Sequence, residues 1–207
     1  DRRLVAKEFV KPMTGTLFPN LPEDEAEALR RLAGLEVAPD LVGFWPEVSL
    51  LVYDFAEGDM WDGDIKAVAQ LLLRKEAADP IGFRSVPLNA QDILAEGDAL
   101  FARCKSPPDA VCPPHVDLPL PEKLSLIHTD IGVNLVGAGK TLRLIDWQCP
   151  AIGDLCEDIY SFLSPAFQIL AEREPLTDAE VRNFWLALTR PDLEARYALL
   201  RPAYAWR

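Results

Sequence analysis

Basic residues, histidine and cysteine are all scarce in this chain. Its 207 residues hold 21 Lys and Arg against 33 Asp and Glu, a net charge of −12, so the basic stripe that a nucleic-acid surface needs is missing. The same acidity serves solubility and suits a cationic or metal-bridged ligand. With two histidines in all, the thiols Cys104, Cys112, Cys149 and Cys156 have neither C-x-x-C spacing nor histidine partners, which leaves no zinc or redox motif and marks them as reduced. No apolar run reaches the roughly 20 residues of a membrane span, and no signal-peptide pattern is present; the expected location is cytoplasmic. Repeats and low-complexity tracts are absent apart from a Pro-rich connection between Ser106 and Pro121. What is there is globular in class. Hydrophobic residues make up 49% and charged ones 26%, and the length suffices for one large or two small domains.

The most informative stretch runs from Leu124 to Asp158. Leu124 to Ile127 and Leu142 to Ile145 are short apolar runs of strand character, and Gly137-Ala138-Gly139 supplies a turn. Asp130 then stands at a strand end, Asn134 just beyond, and Asp146 at the end of a second strand, so the two acids are expected near one edge of a hairpin. Such a set suits phosphoryl transfer, in which one carboxylate orients an attacking hydroxyl while an amide oxygen and a second carboxylate hold Mg²⁺ against nucleotide phosphates. For any single Asp, the plainer reading of a turn cap is favoured; the residues taken together point to the chemistry. His128 reads as a hydrogen-bonded core histidine. Asp154, with Glu157 three residues on, has the spacing of a helix cap. Asp158, one turn later, fits either support of the site or a solvated helix face.

The remaining segments organise around this stretch. In the strand Leu4 to Val10, Lys7 shares a face with Val5 and Phe9, which fits either a cleft-lining lysine or an edge lysine that discourages aggregation. A helix is predicted over Pro22 to Ala33, with acids in its first turn, arginines in its last, and Ala26, Leu29 and Leu32 buried. Strands follow over Leu41 to Trp45 and Val48 to Phe55, then a connection at Tyr53 to Gly58. Helices are predicted over Asp64 to Ala78 and over Asn89 to Cys104, with Asn89 as cap. Pro165 should kink or end the helix after Asp154, and Thr177-Asp178-Ala179-Glu180 is a capping box that opens another, with Val181, Phe184, Trp185 and Leu188 inward.

His128-x-Asp130, Asn134 and Ile145-Asp146-Trp147 together resemble the aminoglycoside phosphotransferase and choline kinase family, which has the protein-kinase-like fold. The resemblance implies an α+β chain in two lobes: a small antiparallel sheet over 1–56 that binds nucleotide, and a mainly helical lobe over 57–207. It implies ATP and Mg²⁺ as cofactors and an aminoglycoside-, choline- or ethanolamine-like alcohol as acceptor. Asp130 is then the catalytic base, Asn134 and Asp146 the metal ligands, and His128 a support of the loop. Lys7 would reach the α and β phosphates and pair with Glu25, with Glu27 in reserve, while the Asp54 carbonyl and the Ala56 amide would bond adenine. A plain interlobe linker is the alternative for those last two.

Two departures stand out. Only Ile131, Gly132 and Val133 separate Asp130 from Asn134, one residue fewer than the family pattern; either Gly132 lets the shorter loop deliver the amide, or Asn134 already lies in the strand and faces away. The family's first two strands, with the loop over the phosphates, are expected to be missing from this sequence. Both departures keep open a non-catalytic nucleotide-binding or scaffold role. A protein kinase is disfavoured, since Trp147-Gln148 replaces Phe-Gly, Thr129 replaces Arg, and no Ala-Pro-Glu follows.

Overall fold

The computed structural model describes residues 2–11, 13–14, 17–61, 63–106 and 109–207. Strands β1 (Leu4–Glu8), β2 (Leu41–Trp45) and β3 (Leu50–Asp54) form an antiparallel sheet in the order β1-β3-β2, with Lys7 opposite Leu51. On β1 only Val5 and Lys7 turn inward, and Phe9 just beyond the strand is buried. This is the period-two alternation the sequence predicts. Between β2 and β3, Pro46–Val48 is a 3-10 turn, so the predicted strand from Val48 begins two residues later.

Helix α1 (Pro22–Leu32) starts with Pro22 at its first turn beside three acids and ends on Arg30 and Arg31. Ala26, Leu29 and Leu32 face the core, and Glu25 is buried with them at 1% exposure.

The larger lobe is built from helices. In α2 (Ile65–Lys75) the Asp64 side chain caps the Ala67 N–H, and Val68, Leu71 and Leu72 are fully buried, each stabilising the fold by about 1.5–3 kcal/mol. Asn89 caps α3 (Ala90–Phe101), as its side chain accepts from the Asp92 N–H. Strands β4 (Ser125–Ile127), β5 (Leu135–Val136), β6 (Arg143–Leu144) and β7 (Ala151–Gly153) follow. Then α4 (Leu155–Leu163) is capped by Asp154, and Pro165 opens α5 (Pro165–Leu170). The capping box at Thr177 and Glu180 starts α6 (Asp178–Leu188), and α7 (Pro191–Trp206), which sequence reading missed, closes the chain. Helix α2 packs on α6, and α3 and α4 both pack on α7. One apolar cluster runs through both lobes, from Leu29 and Leu51 to Leu144, Trp147 and Leu200.

One prediction needs correction. The runs at 124–127 and 142–145 do not share a hairpin: β5 pairs with β6, whereas β4 pairs with β7. Each strand is two or three residues long and buried at nearly every position, so no alternation records which strand is its neighbour.

The lobes join through a tight approach at Gly58 and Gly137, where both φ values are positive, +112° and +91°. A Cβ on Gly58 would lie 2.9 Å from the Gly137 Cα, closer than any side chain tolerates, so glycine is required for the connection to cross the hairpin. Farther along, the Leu144 N–H donates to the Val37 carbonyl at 2.7 Å and the Leu21 N–H to the Gln148 carbonyl at 3.4 Å. These bonds hold the small lobe against the segment that carries Asp146.

Candidate active site

The small lobe contributes one ammonium. Lys7, placed inward by strand alternation, donates to Glu25 at 2.6 Å and to the Asp146 carboxylate. The Trp147 N–H lies near the Glu25 carboxylate and, like Lys7, favours its ionised form. Glu27 pairs instead with Arg30 and Arg31 on its own helix. Asp146 sits at φ +59°, a left-handed conformation costing on the order of 1–3 kcal/mol for a non-glycine residue. It is held there by Trp147, fully buried, whose indole donates to the Leu144 carbonyl at 3.0 Å and whose ring meets that of His128 at 4.6 Å.

The larger lobe contributes the loop after β4. His128 Nε2 bonds the Ile145 carbonyl at 2.9 Å, and Nδ1 accepts the Asp130 N–H at 3.3 Å. A carbonyl can only accept, so Nε2 carries the proton and the ring is neutral; burial holds its pKa below the ordinary histidine range. Its contacts are those of a hydrogen-bonded core histidine. Thr129, also left-handed at φ +68°, is fixed by a bond from its hydroxyl to the Cys149 carbonyl.

Beneath the loop lies Asp158, fully buried rather than solvated. Its carboxylate accepts the N–H groups of His128 and Thr129 at 2.9–3.0 Å and pairs with Lys75 at 2.8 Å. Sequence reading missed Lys75. The available signal was its place in line with Val68, Leu71 and Leu72 on the buried face of α2, where a lysine requires a partner.

The shortened loop closes as a turn. The Asn134 N–H donates to the Ile131 carbonyl at 3.0 Å, and the Asn134 side-chain amide donates to the Asp130 carbonyl at 2.8 Å. Asn134 precedes β5, and its main-chain carbonyl accepts from the Ile145 N–H at 3.0 Å, which puts it beside the residue before Asp146. Its side chain therefore turns back toward Asp130. Gly132 achieves this without a left-handed φ, so glycine's special freedom is not what closes the loop.

The cleft between the lobes is acidic. Two carboxylates, Glu25 and Asp146, share the single ammonium of Lys7, and Asp130 stands near enough to Asp146 to feel its charge. Burial, with the charge of Asp146 adding to it, raises the Asp130 carboxyl above its usual range and pushes Glu25 up to about 7. Among the described residues no cluster of three or more His, Cys, Asp or Glu could form an all-protein metal cage. Mg²⁺ does not ask for one, since it takes one or two protein oxygens and completes its shell from phosphates and water. The Asn134 amide oxygen and the Asp146 carboxylate fit that donor set.

A pH dependence follows. Between about 4.5 and 7 the folded chain holds a proton on Glu25 that the unfolded chain has lost, so stability falls as pH rises through that window. From pH 5 to pH 7.5 the melting temperature of the metal-free parent should fall relative to that of Glu25→Gln, a difference in which the opposite contribution of the buried, neutral His128 cancels.

At the connection between lobes, the Asp54 carboxylate is held by Arg2 at 2.6 Å, and the Ala56 N–H makes no hydrogen bond among the described residues. A hollow of about 270 Å³ is lined by Asp54, Ala56 and Arg143. A larger cavity, about 390 Å³, lies between the 118–123 segment and the start of α7 and includes none of the site residues.

The small antiparallel sheet and the helical larger lobe make up the protein-kinase-like fold. Among solved structures, a choline/ethanolamine kinase family protein from Mesorhizobium loti is similar over 95% of this chain and 77% of its own, with TM-score 0.63 and 12% identity. An ethanolamine kinase from Plasmodium vivax covers 99% of this chain and 67% of its own, at TM-score 0.58 and 12% identity. An aminoglycoside phosphotransferase from Streptomyces rimosus, in complex with ADP and streptomycin, covers 88% and 81%, at TM-score 0.53 and 16% identity. At such identities the likeness is one of fold, and it is to the structures of the family that the sequence motifs resemble. No protein-family model and no curated protein matches the sequence. No helix among the described residues is long and apolar enough to cross a membrane.

Proposed function

We propose that this chain is an ATP- and Mg²⁺-dependent kinase that transfers the γ-phosphate to a hydroxyl of a small aminoglycoside-, choline- or ethanolamine-like alcohol. The observation that carries this reading is the bridge from Glu25 through Lys7 to Asp146, which ties the small lobe to the segment beside Asp130 and Asn134. In this reading Lys7 binds the α and β phosphates, with Glu25 keeping its ammonium aimed into the cleft. Asn134 and Asp146 hold the metal, which neutralises phosphate charge. The Ala56 N–H and Asp54 carbonyl bond the adenine edge. Asp130 orients the acceptor hydroxyl and takes its proton; transfer itself needs alignment and charge compensation more than covalent help.

The test has two readouts. Mg·ATP at a hundred times its Kd should stabilise the protein by about 2.7 kcal/mol, and a panel of amino- and quaternary-ammonium alcohols should contain one that drives ADP release. Stabilisation without alcohol-dependent ADP release would point to a nucleotide binder. Neither response would remove both readings.

A further inference from the structure

The turn that delivers Asn134 is held from outside by Arg173, a residue in the connection after α5 that no sequence motif singles out. Its guanidinium donates to the Gly132 carbonyl and to the Gln168 side-chain oxygen at 3.1 Å, and it lies 5.1 Å from the centre of the Trp61 ring. Gln168 is itself fully buried and bonded to the Phe162 carbonyl, and the Arg173 N–H returns to the Gln168 carbonyl at 2.9 Å. Among the described residues Arg173 has no carboxylate partner, although acids outnumber bases 33 to 21 in the chain. Its charge is therefore directed to a backbone carbonyl and an aromatic face rather than to an ion pair.

The choice of carbonyl matters. Ile131 to Asn134 is a four-residue turn closed by the bond from the Asn134 N–H to the Ile131 carbonyl, and Gly132 and Val133 are its central residues. Neither has a positive φ, which places the turn outside the classes that need one. Glycine at the first central position nonetheless leaves those classes open, and entering them re-aims the peptide groups on both sides of Gly132. The Ile131 end is already pinned, by its buried side chain and by its N–H to the Ser161 hydroxyl at 3.0 Å. The Gly132 to Asn134 end has Arg173.

We propose that Arg173 is a positioning residue that, by holding the Gly132 carbonyl, fixes this turn in the one conformation that sets the Asn134 amide beside Asp130 for metal binding. The inference rests on the kinase reading for its consequence, not for its geometry. It gives a loop shortened by one residue a brace from a distant part of the chain. Arg173→Met should raise the Mg²⁺ concentration for half-maximal ATP turnover about tenfold, as loss of a partner that orients a ligand does, with the KM for ATP at saturating Mg²⁺ little changed. Arg173→Lys, which keeps one donor, should fall between.

The decisive variant is Gly132→Ala in the Arg173→Met background. A methyl group at 132 would meet only Phe167, its Cβ at 3.6 Å and its carbonyl oxygen at 3.9 Å, both ordinary contacts, while removing the positive-φ turns from reach. It should return the Mg²⁺ requirement to within about threefold of the parent chain, since most of the lost orientation is backbone freedom. A merely structural arginine would not be rescued this way. Amide hydrogen exchange over residues 131–134, measured without any ligand, should quicken in Arg173→Met and slow again in the double variant. Unchanged exchange in Arg173→Met, or a double variant as impaired as the single one, overturns the proposal. A parent chain that shows Arg173-dependent protection of the turn but no ATP turnover overturns the function and leaves the brace standing.

Discussion

Lys75→Met is expected to lower the unfolding free energy by about 3–5 kcal/mol, the loss seen when one partner of a buried ion pair is removed. Lys75 and Asp158 are both fully buried, 2.8 Å apart, and Lys75 also donates to the Leu126 carbonyl. Without the ammonium, the Asp158 carboxylate keeps two backbone N–H donors but no counter-charge at a fully buried position. Removing both partners together should not recover the loss, because the N–H groups of His128 and Thr129 would then be buried without an acceptor. In this respect the pair differs from an isolated buried ion pair, which apolar residues can replace. Asp158→Asn keeps one oxygen, and Oδ1 alone accepts both N–H groups, yet it strands Lys75 and should fall at the lower end of the same range. Urea unfolding measures each variant; a loss under about 1 kcal/mol in Lys75→Met would falsify the burial of the pair. Surviving folded protein should also turn over more slowly, since Thr129 and His128 are the residues that lead into Asp130.

The parts of this molecule that were legible in the sequence are those whose causes are local. Thr177 and Glu180 bond each other's backbones across a single turn, Asn89 caps its own helix, and Pro165 stands where one helix ends and the next begins. Lys7 was readable as an inward lysine from alternation alone, but its pairing with Glu25 came only through resemblance to a known family, and its contact with Asp146 was not read at all. Contacts of that reach leave no mark on neighbouring residues. The strand pairing at the site was illegible for a related reason: Leu126 and Leu135 sit in strands buried on both faces, so hydrophobicity says that they are inside without saying beside what. Asp158 carried an ambiguous signal, an acid one turn into a helix, and burial beside Lys75 is what decides it. The last helix was masked by Pro202 in its interior, a residue that reads as a helix breaker.

Asp130→Asn is expected to reduce turnover by about 10²- to 10⁴-fold, the range for removal of a general base, while leaving the protein at least as stable as before. The two halves of that statement have one cause. The bonds that hold this part of the loop use the backbone of Asp130, its N–H to His128 and its carbonyl to Asn134, whereas its carboxylate accepts no hydrogen bond among the described residues. Burial and the neighbouring charge of Asp146 penalise the ionised form and raise its pKa, so the folded state bears a charge that it does not use for folding. The neutral amide relieves that penalty, and melting at neutral pH should be unchanged or higher. The KM for ATP should change little, because nucleotide contacts in this reading come from Lys7, Asn134, Asp146 and the connection at 54–56. In the parent chain the acid limb of kcat/KM should lie above the ordinary aspartate range, as expected of a base with a raised pKa, and should vanish from the residual activity of the variant. An Asp130→Asn protein that is markedly destabilised, or that retains more than about a tenth of the parent turnover, would show that the carboxylate is structural and that the proton leaves the acceptor hydroxyl by another route.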